Sequence, residues 1–164
     1  MGSSRSHWEG VYAGKAETEV SWYQRHAVRS LELIEAASPD HVASVIDVGG
    51  GASTLVDDLL ARGFVNLTVL DLAQSALDRA KARLRNGADK VTWIVADITN
   101  WTPDRTWVVW HDRAVFHFLT EQPQQDAYVA TLKAATLSGA TIIISTFALD
   151  GPERCSGRVR SGTE

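Results

Sequence analysis

The sequence predicts an α/β protein built on a doubly wound, mostly parallel five-stranded sheet with helices on both faces. Three observations carry this expectation. Short apolar runs alternate with stretches of helical periodicity, the runs are apolar at consecutive rather than alternate positions, and the first of them ends in Gly49-Gly50-Gly51. A strand that is apolar on both faces belongs inside a parallel sheet covered by helices. Right-handed crossovers between such strands then leave an open, doubly wound sheet.

Each element has its own signal. Over residues 21–37, Val28, Leu31 and Ile34 recur at helical spacing before Pro39 forbids continuation, which predicts an amphipathic helix. Residues 43–48 form a β-branched run that enters the glycine turn as a buried strand. Leu55, Val56, Leu59 and Leu60 then make a helical stripe, stopped by Gly63 where a left-handed cap is usual. The second strand spans residues 66–70, and the helix over 74–85 puts Leu77, Ala80 and Leu84 on one face before Asn86-Gly87 closes it. Residues 91–95 and 107–110 are the third and fourth strands. Pro123, well suited to a first turn, opens a helix that runs to residue 137 with Tyr128 and Leu132 inward. Residues 141–146, nearly all apolar, make the fifth strand. The expected organisation is an N-terminal segment over 1–20, a domain over 21–149 and a flexible tail over 150–164, rich in Gly, Ser, Arg and Pro. Residues 1–6 are small and polar and add nothing to the fold prediction.

Composition bounds the function classes. With 164 residues, 45% hydrophobic and 22% charged, the chain fits one domain able to bury its own core. A formal net charge of -4 offers no clustered basic surface for a phosphate backbone, so no nucleic acid is expected. Cys155 is the only cysteine, which excludes an internal disulfide and a cysteine-paired structural zinc, and a reducing cytoplasm suits it best. No signal-peptide stretch and no apolar run of about 18 residues occurs, so a soluble protein without a membrane partner is expected. No metal site is expected either.

In an open α/β sheet, ligands bind beyond the carboxyl ends of the strands, and the residues there carry chemistry. The first strand ends Asp47-Val48-Gly49-Gly50-Gly51-Ala52-Ser53. Its glycines permit a sharp turn and close approach to a ligand, and the next helix offers free N–H groups to a carboxylate or a phosphate. Thr54 stands where a dinucleotide fingerprint places its third glycine, which weakens a nicotinamide reading. Asp71, 22 residues after Gly49, is at the right distance to accept the two hydroxyls of an adenosine ribose, with Leu72 beside it to pack on adenine. Asp97-Ile98 ends the third strand, where a carboxylate or backbone amide can read the adenine amino edge, and His111-Asp112 ends the fourth. Each residue also has a purely structural reading: a ligand-free tight turn for the glycines, a helix cap for Asp71, a turn residue in Asp97, backbone satisfaction for His111 and His117.

Through Asp47-Val48-Gly49-Gly50-Gly51, Asp71-Leu72, Asp97-Ile98 and residues 111–119, the chain resembles the class I S-adenosylmethionine-dependent methyltransferases over roughly residues 8–149. The resemblance implies that Gly49, Gly50 and Gly51 line the methionine part of the cofactor, Asp71 binds the ribose and Asp97-Ile98 flank the adenine. Asp47, Ser53, Leu72 and His111 complete the expected cofactor site. Trp22 and Tyr23 are similar to N-terminal aromatics that fold over the cofactor in some relatives, core packing being their other reading. His111, Asp112 and His117 are the candidate bases by position, His111 and His117 foremost. The implied activity is methyl transfer from S-adenosylmethionine to a small-molecule or protein acceptor, leaving S-adenosylhomocysteine. A module that binds either compound without transferring methyl groups is the alternative, and a NAD-dependent oxidoreductase is the less favoured one. The family usually has seven strands, and this chain stops 18 residues after Thr146, as if truncated before the sixth and seventh. Residues 141–146 are then expected to form an exposed sheet edge that pairs with another chain in a homodimer or larger assembly.

Overall fold

The computed structural model describes residues 2–14, 24–113 and 115–146 and, as backbone, 154–155 and 158–159. In chain order these form α1 (Gly2–Gly14), α2 (Val28–Ala37), β1 (Val45–Val48), α3 (Leu55–Ala61), β2 (Leu67–Asp71), α4 (Gln74–Leu84), β3 (Val91–Val95), β4 (Trp107–Arg113), α5 (Gln122–Ala135) and β5 (Thr136–Ser145). The five strands pair in parallel in the order β3-β2-β1-β4-β5, the doubly wound sheet that the sequence predicts. A separate two-residue antiparallel ladder joins Arg154–Cys155 to Arg158–Val159.

Two apolar layers cover the sheet. On one face, Leu31 and Ile34 of α2, Leu55, Val56 and Leu59 of α3 and Leu77 of α4 pack on Val45, Leu67, Val69 and Val109. On the other, Tyr128 and Ala135 of α5 pack on Ile46, Val48, Leu70, Trp107 and Trp110. Trp107 and Trp110 share a face although they are three residues apart in one strand, because β4 is irregular between Trp107 and Val109. The N–H groups of Val108 and Val109 both donate to the Ser44 carbonyl, 3.0 Å each, and the two-against-one pairing restores both indoles to the same layer.

Several boundaries differ from the sequence expectation. The first predicted helix starts at Val28, and residues 24–27 are not helical. The Thr54 hydroxyl donates to the carbonyls of Gln24 and Arg25, and His26 bonds Asp58, so this stretch is tied to α3 in an open conformation. Val28, expected inward, is exposed, because the buried stripe of α2 runs through Ser30, Leu31 and Ile34. Asn86-Gly87 does not end the chain's turning after α4: Arg85 takes a positive φ and a 3-10 turn carries Arg85–Lys90 to β3. β4 runs on through His111 and Asp112 to Arg113, so both side chains sit on the strand itself. β5 begins at Thr136 and lies at the sheet edge, with Ile142 and Ile144 each 40% exposed and Ile143 buried. Gly63 has φ +90° and closes α3 as expected. α1, which nothing in the sequence reading anticipated, is a helix.

Leu77 is fully buried between α4 and the sheet, whereas Leu137 is 69% exposed. Leu77→Ala is expected to lower unfolding free energy by about 2–5 kcal/mol in urea titrations, and Leu137→Ala to change it by less than about 0.5 kcal/mol.

Candidate functional site

All five strands point their carboxyl ends the same way, and the order in which the chain adds strands switches sides between β1 and β4, so the crevice opens there. Gly49 and Gly51 have φ of +69° and +46°, a backbone region that L side chains rarely adopt. The Gly49 N–H donates to the Leu70 carbonyl at 2.7 Å, and the Ser53 N–H to the Gly50 carbonyl at 2.8 Å. A side chain has no room in this turn. A Cβ on Gly50 would lie 2.6 Å from Asp47 Oδ2 and 2.8 Å from Val69 Cγ1, and one on Gly51 would lie 2.9 Å from both Asp71 Oδ2 and the Tyr12 hydroxyl. Val115 occupies the corresponding space over Gly49.

The turn lines a cavity of about 240 Å³. Of the residues predicted from sequence to hold a ligand, Asp47, Gly49, Gly50, Ser53, Asp71, Leu72, Asp97, Ile98 and His111 all border it. Gly51 sits behind that wall, against Asp71 and Tyr12. Trp22 and Tyr23 lie outside the described residues. Arg113, Val115 and Phe118, within the segment 111–119 that carries the resemblance, also border the cavity, as do Trp8, Tyr12, Glu121 and Gln124, which were not foreseen. For Trp8 and Tyr12 a signal existed, because an aromatic pair at i, i+4 flanking an acid marks one face of a helix.

Buried carboxylates organise the walls. Asp47 Oδ1 lies 2.7 Å from Nδ1 of His111, whose Nε2 lies 2.9 Å from the Ser30 hydroxyl. Both ring nitrogens of His111 are thus engaged in a chain that links β1, β4 and α2. Asp71 accepts the Ala73 N–H at 2.8 Å, but burial, reinforced by the nearby charge of Asp47, pushes its carboxyl up to about 7. Asp97 accepts both the N–H and the hydroxyl of Thr99, at 3.0 and 2.7 Å, which holds the turn that presents Ile98.

Asp112 governs the segment after β4. Its carboxylate accepts the Val115 and Phe116 N–H groups at 2.8 and 3.1 Å and the Tyr128 hydroxyl at 2.6 Å, while the Trp110 indole N–H donates to that hydroxyl at 3.0 Å. Burial raises its carboxyl to about 6 against these donors. The turn Phe116–Phe118 is fixed as a result, with His117 buried in it and its ring centroid 4.1 Å from that of Phe118. The first turn of α3 carries Asp57 and Asp58, paired with Arg83 and His26, which disfavours a phosphate at that helix start. Among the described residues no cluster of His, Cys, Asp and Glu suits a metal ion, and no helix is long and apolar enough to cross a membrane.

The methyltransferase domain family matches residues 45–139, more than half of the chain, and the chain belongs to that family. EEF1A lysine methyltransferase 2 of Danio rerio is 22% identical over 158 residues, covering 87% of this chain and 68% of its own length. Two solved structures share the fold: a complex described as DhpI-SAM-HEP (TM-score 0.66, 18% identity, 87% of this chain), and SAM-bound CalS10, an amino pentose methyltransferase from Micromonospora echinaspora (TM-score 0.62, 23% identity, 87% of this chain). The chain spans 64% and 57% of those two proteins.

Tyr128 is wholly buried between Asp112 and Trp110. Tyr128→Phe leaves an indole N–H and a carboxylate short of one partner each, and is expected to cost about 1.5–3 kcal/mol of unfolding free energy in a denaturant titration.

Proposed function

We propose that this chain binds S-adenosylmethionine in the cavity between β1 and β4 and transfers its methyl group to a small-molecule or protein acceptor. The observation that carries the reading is the convergence of the bare glycine turn, Asp71 and Asp97-Ile98 on one cavity at the point where the strand order switches sides. These residues fit the cofactor. Gly49 and Gly50 bring backbone to the cavity for its amino-acid part, with Gly51 behind them allowing the sharp turn, Asp71 offers acceptors to the two ribose hydroxyls, Leu72 and Ile98 are apolar surfaces for the adenine, and Asp97 is placed to meet its amino edge. Ser53 and Asp47 lie beside the glycine turn.

When bound, the cofactor supplies an electrophilic methyl group. The protein's part is to orient an acceptor and exclude water. Trp8, Val115, Phe118 and Leu119 give that end of the cavity an apolar wall. His111 and His117 are the candidates for moving a proton, but His111 already bridges Asp47 and Ser30 and His117 is buried in the turn outside the cavity lining, which favours an acceptor that needs no protein base for the attack. A neutral amine satisfies this, and lysine and an amino pentose appear in the names of the two relatives quoted above. A cytoplasmic, homo-oligomeric protein completes the proposal. The edge position of β5 and the exposure of Ile142 and Ile144 support association through residues 141–146, and light scattering is expected to give at least a dimer; a monomer at high concentration would contradict it.

Binding and transfer are tested separately. Calorimetry should show one site for S-adenosylhomocysteine, and a radiolabelled-methyl assay over amine acceptors should show turnover. Binding without transfer to any acceptor would favour the non-transferring module, and tighter binding of NAD would sink the reading. The pH dependence has a definite sign. Asp71 is protonated below about 7 and must ionise to accept two hydroxyls, so affinity should fall by about tenfold per pH unit on acidification below that point. Asp71→Asn is expected to lose about 1.5–3 kcal/mol of binding and to abolish that slope.

A further inference from the structure

The first turn of α4 has no cap of its own. Its N-cap residue is Ala73, which supplies no side-chain acceptor. Asp71 takes the Ala73 N–H, and the next two donors, the N–H groups of Gln74 and Ser75, turn instead to Oε1 and Oε2 of Glu9 at 2.7 and 3.2 Å. The cap therefore comes from α1, some 65 residues earlier in the chain. A carboxylate across the positive end of a helix is held both by hydrogen bonds and by the helix dipole.

Residues on either side of Glu9 reach the cavity. Tyr12 is buried with Ala52, Ala73 and Ala76, and its hydroxyl stands beside Gly51. Trp8 meets Phe118 edge-on, ring centroids 5.1 Å apart at 67°, so α1 also touches the turn that follows β4. α1 thus spans from the α4 bank of the cavity to the β4 bank, with Trp8 and Tyr12 lining it and Glu9 outside the lining.

We propose that Glu9 is a positioning residue: by capping α4 it clasps α1 across the cavity mouth, so that Trp8 and Tyr12 retain the bound cofactor and set how fast it leaves. The inference rests on the reading of this cavity as the cofactor site. It differs from a helix-stabilising role in what it controls. A cap that only stabilised α4 would change exchange of the Gln74 and Ser75 amides without changing ligand release.

The test uses the full chain and S-adenosylhomocysteine as the probe. Release is followed by stopped-flow displacement, and amide exchange is measured on the same ligand-free proteins. Glu9→Ala is expected to speed exchange at Gln74 and Ser75 and to accelerate release about five-fold, the scale of losing one helix cap. Glu9→Gln keeps an acceptor oxygen and should recover part of the slow release. Trp8→Ala, which leaves the cap intact, should accelerate release without altering those two amides. Glu32→Ala, in an exposed pair with Arg29 on α2, should change neither. Faster amide exchange with unchanged release in Glu9→Ala overturns the proposal while the cofactor reading stands. Failure of the unaltered protein to bind S-adenosylhomocysteine removes the cofactor reading, and the proposal with it.

Discussion

Burial of carboxylates at the ends of parallel strands is the constraint around which the structure is arranged. Asp47, Asp71 and Asp112 are only 6%, 7% and 0% exposed, and an acid in that position must find donors or give up its charge. Each finds different ones. Asp47 has His111, which is itself held by Ser30. Asp112 has two backbone N–H groups and the Tyr128 hydroxyl. Asp71 has the backbone N–H groups of Ala73 and Leu72, and burial, with the nearby charge of Asp47, still raises its carboxyl to about 7. Asp112 holds the turn after β4, and Asp71 borders the cavity.

The same arrangement accounts for how the described loop residues around the cavity are held. Asp112 fixes the turn bearing Val115, His117 and Phe118, and Val115 then closes on Gly49. Asp97 fixes the turn that carries Ile98 through Thr99. On the opposite bank, Arg83 reaches from α4 to Asp57 and to the carbonyls of Ala52 and Ser53, which holds the end of the glycine turn from behind. Parallel pairing brings all these strand ends to one side, so local hydrogen bonds combine into one concave surface.

Much of this was legible in the sequence. Short runs over 43–48, 66–70 and 91–95, apolar on both faces, predicted a parallel sheet, and the glycines followed by spaced acids marked which side of it to inspect. What escaped was long-range. The start of α2 depends on Thr54 and Asp58 holding residues 24–26, contacts some thirty residues away that periodicity does not encode. The engagement of His111 depends on Asp47 and on Ser30, 81 residues away, so its position at a strand end left both a structural and a catalytic reading open. α1 has too few apolar residues to announce itself, and only the Trp8-Glu9-x-x-Tyr12 spacing hinted at a face. Its cap on α4 joins two elements that no local rule connects.

A crystal structure with S-adenosylhomocysteine tests the central claim most directly. The account predicts density for the ribose hydroxyls at the Asp71 carboxylate, the adenine between Leu72 and Ile98, and the amino-acid end over Gly49 to Gly51. Density for the nucleoside away from this turn, or an empty cavity in crystals whose ligand binds elsewhere, would contradict it.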